Sequence, residues 1–111
     1  MNEIQQYKKQ SAEWMGSETR IIIGALHLFL NDEWVEWKPD LKENSYQREL
    51  IEDRLVEKGC RILTDQYPPE TIVFIYPDGI RGPEDHCIGT RDKSKSIAFM
   101  KAFMLYIKTI K

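Results

Sequence analysis

A chain of 111 residues with 41% hydrophobic and 31% charged side chains has the size and composition of a single globular domain, which excludes global disorder. Its 16 basic and 18 acidic residues leave a net charge of −2, so it lacks both the basic surplus of a DNA-binding protein and the acidic surplus of a DNA mimic. With no apolar signal segment and no apolar run long enough to cross a membrane, we expect a cytoplasmic protein in which Cys60 and Cys87 are reduced.

The first predicted element is a short amphipathic helix over residues 2–15, which Gly16 ends. Residues 20–37 alternate in hydrophobicity, and this pattern favours extended strands joined by a turn at residues 31–32. A helix over residues 19–30 is the competing interpretation of the same segment.

The hairpin has one register that gathers its apolar side chains on a single face. That face carries Leu26, Leu28, Leu30, Val35 and Trp37. The opposite face carries His27, Phe29, Trp34 and Glu36. This register also places His27 opposite Glu36.

A second helix is predicted over residues 46–58, with Asn44 or Ser45 as its cap and Gln47 completing a capping box with Asn44. Gly59 ends it. Its buried stripe is predicted to contain Tyr46, Leu50, Ile51 and Leu55. Its solvent face is predicted to contain Arg48, Glu49, Glu52, Asp53 and Glu57.

Two further strands are predicted over residues 60–67 and 71–76, and the second is suited to a central position because it is continuously β-branched and aromatic. A polar loop follows over residues 80–90, with a short edge strand near residues 86–88. The elements together predict an α+β fold: one domain over residues 1–111, in which two or three helices pack on a short antiparallel sheet.

The last predicted helix begins at about Lys93, with Asp92 or Ser94 as its cap, and is apolar on nearly every side. A chain this short has little material to cover such a helix, so we expect self-association through it. The interface residues of this hypothesis are Phe99, Phe103, Tyr106 and Ile110.

Basic residues and glycines are concentrated just before this helix. Arg81, Arg91, Lys93 and Lys95 form a candidate site for a phosphate or another anion, because helix-terminal amides and basic side chains both attract anions. The P-loop pattern is absent, and a plain loop before a capped helix is the simpler interpretation.

Catalytic and metal-binding constellations are weak. His27 with Glu36 has the form of a carboxylate-held general base, but no nucleophile accompanies it, so a cross-strand polar pair is favoured. Asp85-His86-Cys87 resembles a Cys–His catalytic pair in composition. Adjacent side chains on an extended chain point to opposite sides, so His86 and Cys87 are not expected to share a proton. The two Cys and two His residues lack zinc-site spacing. We therefore predict no enzyme activity, no metal and no cofactor.

The second half of the chain resembles the phage "ABA sandwich" domain, a small α/β family found in phages and prophages. The resemblance covers about Trp37 to Ile107 and rests on Trp37-Lys38-Pro39, a helix ending in Lys58-Gly59, the two strands that follow, and the Gly89-Thr90 loop before an apolar helix. The family has no established catalytic residues to transfer. It implies a phage or prophage origin and a sheet with helices on its faces.

The leading hypothesis is a non-enzymatic, phage-type protein that binds a host or defence-system protein and forms a homo-oligomer through its last helix. The alternative is a nucleotide-binding or anion-binding module that uses the basic segment from Arg81 to Lys95.

Overall fold

The computed structural model describes residues 2–77 and 87–110. In chain order its elements are α1 (Glu3–Met15), β1 (Thr19–Ile22), β2 (Ala25–Leu30), β3 (Glu33–Glu36), a 3₁₀ turn (Lys42–Asn44), α2 (Ser45–Glu57), β4 (Arg61–Tyr67), β5 (Glu70–Tyr76), β6 (Ile88–Asp92) and α3 (Lys95–Thr109). The strands form two antiparallel sheets, β1–β2–β3 and β4–β5–β6, which confirms the predicted α+β class. The chain separates into two compact units, unit 1 (Met1–Ile51) and unit 2 (Glu52–Lys111), with the boundary inside α2.

In unit 1, α1 begins and ends where the sequence predicts. Asn2 forms a capping box with Gln5: the Asn2 side chain accepts from the Gln5 amide at 2.8 Å, and the Gln5 side chain accepts from the Asn2 amide at 3.1 Å. Gly16 closes the helix in the left-handed conformation, with φ of 72°. Local capping chemistry therefore fixes both ends of α1.

The predicted hairpin is present as β2 and β3, and its register is confirmed, since Leu28 pairs with Val35 and His27 with Glu36. Residues 19–30 form β1 and β2, so the competing helix is ruled out. The apolar face buries Leu28 and Trp37. On the opposite face, the ring of Phe29 lies 5.1 Å from that of Trp34.

Two buried polar side chains hold unit 1 together. The Trp37 indole Nε1 donates to the Ser11 hydroxyl at 2.9 Å, which ties the end of the hairpin to α1. Gln47 accepts from the Lys38 amide at 2.7 Å and donates to the Glu36 carbonyl at 2.9 Å. The predicted capping box with Asn44 is therefore wrong: Gln47 uses its side chain to hold the chain that leaves β3.

This role of Gln47 also changes which side of α2 is buried. Gln47, Arg48, Ile51 and Leu55 are buried, and Tyr46 is half exposed. The predicted assignments of Tyr46 to the buried stripe and of Arg48 to the solvent face were wrong, because the buried stripe begins at Gln47. The prediction for Ile51 and Leu55 is confirmed.

In unit 2, β5 is the central strand, as predicted, and α3 packs on β5 and β6. Burial alternates along β5, with Thr71, Val73 and Ile75 buried and the residues between them half-buried. The predicted loop after β5 was partly wrong. Residues 88–92 form β6, because their backbone pairs with β5 from Ile88 opposite Ile75 to Asp92 opposite Thr71. The predicted turn at residues 78–79 lies outside the described residues.

Candidate functional site

In unit 1, a cleft of about 620 Å³ lies between α1 and the strands, here called the α1 cleft. It is lined by Gln5, Lys8, Lys9, Ala12, Glu13, Thr19, Ile21, Gly24, Ala25, Leu26, Glu36 and Trp37. Ala12 and Trp37 are buried, and Leu26 is half-buried. Its volume is within the range of about 300–1,000 Å³ that is usual for ligand sites. The cleft thus presents an apolar floor under a polar rim.

Two isoleucines of the β1–β2 hairpin lie in solvent beside this cleft. Ile21 lines the cleft and is 65% exposed, and Ile23 at the tip of the hairpin is fully exposed. Fully burying one such side chain is worth about 1.5–3 kcal/mol, so neither contributes this energy to folding. Ile21 therefore extends the cleft lining into solvent, and Ile23 stands beside Gly24, which also lines the cleft.

The β1–β2 hairpin turn also has an uncommon backbone. Ile22 pairs with Ala25, so Ile23 and Gly24 form a two-residue turn, with φ of 49° and 76°. Positive φ at both positions is the type I′ geometry, which favours Asn-Gly. A β-branched residue with positive φ is an outlier, so Ile23 carries backbone strain as well as exposure.

The charges of the cleft are not all available to a ligand. Glu36 pairs with Lys38 at 2.9 Å, and the hydrogen bond from Lys38 is the main reason that the pKa of Glu36 lies below its usual value. Lys8 and Lys9 of α1 form no ion pair in the part of the chain that the structure describes. Glu13 is the other carboxylate of the lining. Lys8 also helps to lower the pKa of Glu36, so the net positive charge of the lining is small and rests mainly on Lys9.

The predicted anion site lies only partly within the described residues, so it stays a prediction. Arg81 lies outside the described residues, Arg91 belongs to β6, and Lys93 and Lys95 are exposed near the start of α3. The Asp92 carboxylate stands at the start of this helix. It accepts from the Ser94 amide at 3.0 Å and from the Lys101 ammonium at 2.8 Å, and these bonds, that of Lys101 first, lower its pKa. Ser94 caps α3, since its hydroxyl accepts from the Ile97 amide, and the Asp92 carboxylate lies just before this cap.

The predicted oligomer interface is mostly covered within the chain. Phe99, Phe103 and Tyr106 are buried, whereas Ile110 and Leu105 are partly exposed. Burial raises the pKa of Tyr106 to about 12, and a hydrogen bond with Cys60 adds to this effect. Self-association stays a prediction, but its physical basis is reduced to two exposed side chains on α3.

The candidate catalytic groups weighed in the sequence lie in two places, one of which is only partly described. His27 lies across from Glu36, and its Nδ1 is 3.0 Å from the Ala25 carbonyl oxygen. Cys87 is half-buried, and Asp85 and His86 lie outside the described residues. Within residues 2–77 and 87–110, no three His, Cys, Asp or Glu side chains are grouped as metal ligands would be.

Sequence reasoning missed the α1 cleft and its two isoleucines. The pattern of residues 20–37 was interpreted with a single turn at residues 31–32, although Ile23-Gly24 between two apolar runs is also a turn signal. That signal would have placed Ile23 at the tip of a hairpin. Nothing in the sequence pattern indicated that α1 would leave the Ile21 end of the sheet uncovered.

Among the described residues, no helix has both the length and the apolarity needed to cross a membrane. Comparisons of the chain with protein-family models, with curated proteins and with solved structures found no match.

Proposed function

We propose that this chain is a non-enzymatic binding protein whose contact surface for a partner protein is the α1 cleft together with Ile21 and Ile23. Ile23 carries the proposal. It is a β-branched residue with φ of 49°, and its side chain is fully exposed. Strained backbone of this kind costs about 1–3 kcal/mol and is concentrated at functional positions.

The β2–β3 hairpin of the same sheet has turn residues that adopt positive φ with less strain. Its turn residues, Asn31 and Asp32, have φ of 49° and 67°, in the same region as Ile23. Asn and Asp tolerate this conformation better than β-branched residues do, and they are soluble at a hairpin tip. The exposed isoleucine is therefore not required by the turn geometry, and burial against a partner would give it a stabilising role.

The lining of the cleft indicates the chemistry of the partner segment. Its apolar floor, formed by Leu26, Trp37 and Ala12, suits one or two apolar side chains. Lys8 and Lys9 at the rim carry charge that no described residue pairs. We expect the partner to insert an apolar segment flanked by a carboxylate, because opposite charges across an interface favour association.

The identity of the partner is supported only by the sequence resemblance. That resemblance suggests a phage or prophage origin, and hence a host or defence-system protein in the bacterial cytoplasm. A homo-oligomer through Leu105 and Ile110 is a separate part of the proposal. Sedimentation equilibrium tests it, and a strict monomer at high protein concentration contradicts it.

A capture experiment with matched variants tests the cleft. Ile23→Asn removes the exposed apolar group, and Val56→Asn makes the same kind of change at a valine on α2 that is 57% exposed. The immobilised wild-type chain and both variants are incubated with a bacterial lysate, and the bound proteins are quantified. We expect Ile23→Asn to reduce the amount of captured partner about tenfold or more. The loss of about 1.4 kcal/mol of binding free energy at one interface residue weakens affinity tenfold.

The Val56→Asn variant should capture the partner as the wild type does. Equal capture by all three chains, equal loss in both variants, or no captured protein at all would each contradict the proposal. Adding Lys8→Glu to the wild type gives a further check. It should weaken the same captured band, because it reverses charge at the rim.

A further inference from the structure

The face of the unit 2 sheet opposite α3 carries a second opening, which is independent of the α1 cleft. Thr71, Val73 and Ile75 are buried, so the alternate β5 residues Ile72 and Phe74 lie on the other face of the sheet. Their partners there are Arg91 and Gly89 of β6. An opening of about 300 Å³ lies among Ile72, Phe74, Gly89, Thr90 and Arg91, here called the Phe74 pocket.

Gly89 gives this pocket its shape. A Cβ atom added at Gly89 would lie 3.2 Å from two ring carbons of Phe74, closer than a relaxed packing contact. The absence of a side chain at Gly89 therefore lets the Phe74 ring lie against the β6 backbone. A half-buried aromatic ring on an open sheet is a stacking surface for a planar group.

Arg91 supplies the charge of the Phe74 pocket. It is exposed, and within residues 2–77 and 87–110 its guanidinium has no hydrogen bond or ion pair. The guanidinium is a planar, permanent cation whose donor geometry matches phosphate. Asp92, the next residue, is engaged by Ser94 and Lys101. Asp65 of β4 shares the sheet face with Arg91 but is separated from it by Ile72, and the two form no ion pair.

From this juxtaposition we infer that the Phe74 pocket binds a nucleotide, with the base stacked on Phe74 and the phosphate held by Arg91. A half-buried aromatic ring that lies flat over Gly89 and a neighbouring guanidinium without an ion pair match a flat ring that carries an anion. The same chemistry is found in a free mononucleotide and in one unit of a single strand. The net charge of −2 gives no basic track for a long polymer, so we commit to the mononucleotide.

Calorimetric titration of the full chain with UMP and AMP tests this inference, with orthophosphate and a ten-residue oligouridylate as comparison probes. Both mononucleotides should bind more tightly than orthophosphate. Arg91→Ala should weaken binding about tenfold. Phe74→Leu should weaken it about fivefold or more, since one stacked base is worth at least that factor. Lys95→Ala is the matched control, because Lys95 is exposed and does not line the pocket.

The outcomes separate the alternatives. Tighter binding of the oligonucleotide than of either mononucleotide, with the same dependence on Phe74 and Arg91, would assign the pocket to single strands and overturn the choice of a free mononucleotide. No binding of any probe at millimolar concentration overturns the inference. The inference is also overturned if orthophosphate binds as tightly as the mononucleotides do. It is overturned likewise if Lys95→Ala weakens mononucleotide binding as much as Arg91→Ala does. None of these results depends on Ile23, so the cleft proposal stands or fails separately.

Discussion

Unit 1 and unit 2 each place a helix beside a three-stranded antiparallel sheet, but they use their apolar residues differently. In unit 2, α3 buries nine of its fifteen residues, and β5 buries every second residue. In unit 1, α1 buries only Tyr7, Ser11 and Ala12, and two isoleucines of the adjoining hairpin remain in solvent. The apolar helix is therefore the covered one, and the two exposed isoleucines lie in the unit whose helix is the more polar.

This difference shows that apolar composition and apolar exposure are separate properties. The composition of α3 suggested a surface for self-association, yet a strongly apolar helix is also the one that the rest of a domain covers most completely. Ile23 is exposed for a local reason, because the tip of a two-residue hairpin projects from the sheet. A candidate contact surface is better sought where the backbone holds an apolar side chain away from the core.

The largest expected effect concerns α3. Replacing Phe103, which is completely buried, with Ala should lower the free energy of unfolding by about 3–5 kcal/mol, because a large side chain is removed from a packed core. The matched control is Leu105→Ala on the same helix, whose side chain is 44% exposed, and its cost should stay below about 1.5 kcal/mol. Urea unfolding measures both. Similar losses of unfolding free energy in the two variants would contradict the deeper burial of Phe103.

Tyr106 gives unit 2 a pH dependence. Its pKa is raised to about 12, so the folded chain retains the phenolic proton that the unfolded chain loses near pH 10. This stabilisation is fully present below about pH 10 and is lost as the pH rises towards about 12, amounting to roughly 2 kcal/mol. Tyr106→Phe should show a smaller decline over that interval. Parallel curves of unfolding free energy for the two proteins would contradict the burial of this side chain.

In unit 1, a buried hydrogen bond between Trp37 and Ser11 contributes to stability. Ser11→Ala removes the acceptor of the buried Trp37 indole and should cost about 1–3 kcal/mol, the usual penalty for an unpaired buried group. Chemical denaturation followed by tryptophan fluorescence measures this change. The double variant Ser11→Ala/Trp37→Phe should lose less than the sum of the two single changes, because the unpaired donor is then gone. Strict additivity would show that the hydrogen bond contributes little.

The sequence predicted the elements whose signals are local. Gly16 and Gly59 mark helix ends by capping chemistry, and the alternation around Leu28 determines the register of the hairpin. The β-branched run of β5 identifies the central strand.

The errors arose where tertiary contacts override these signals. Gln47 bonds to the backbone beyond β3 and rotates the buried side of α2, so that Arg48 is covered. Residues 88–92 contain Gly89, which favours a loop, but pairing with β5 makes them a strand. The candidate site was missed for the same reason, because the α1 cleft depends on which part of the sheet α1 leaves open.

The most direct test of the account is the unfolding free energy of Ile23→Asn measured beside its partner binding. Asn suits a turn residue with φ of 49°, so the variant should be more stable than the wild type by roughly 0.5–1 kcal/mol while it loses capture of the partner. A gain in stability together with a loss of binding is what a strained, exposed contact residue requires. A variant that is less stable than the wild type, or one that is more stable and still captures the partner fully, would contradict the account.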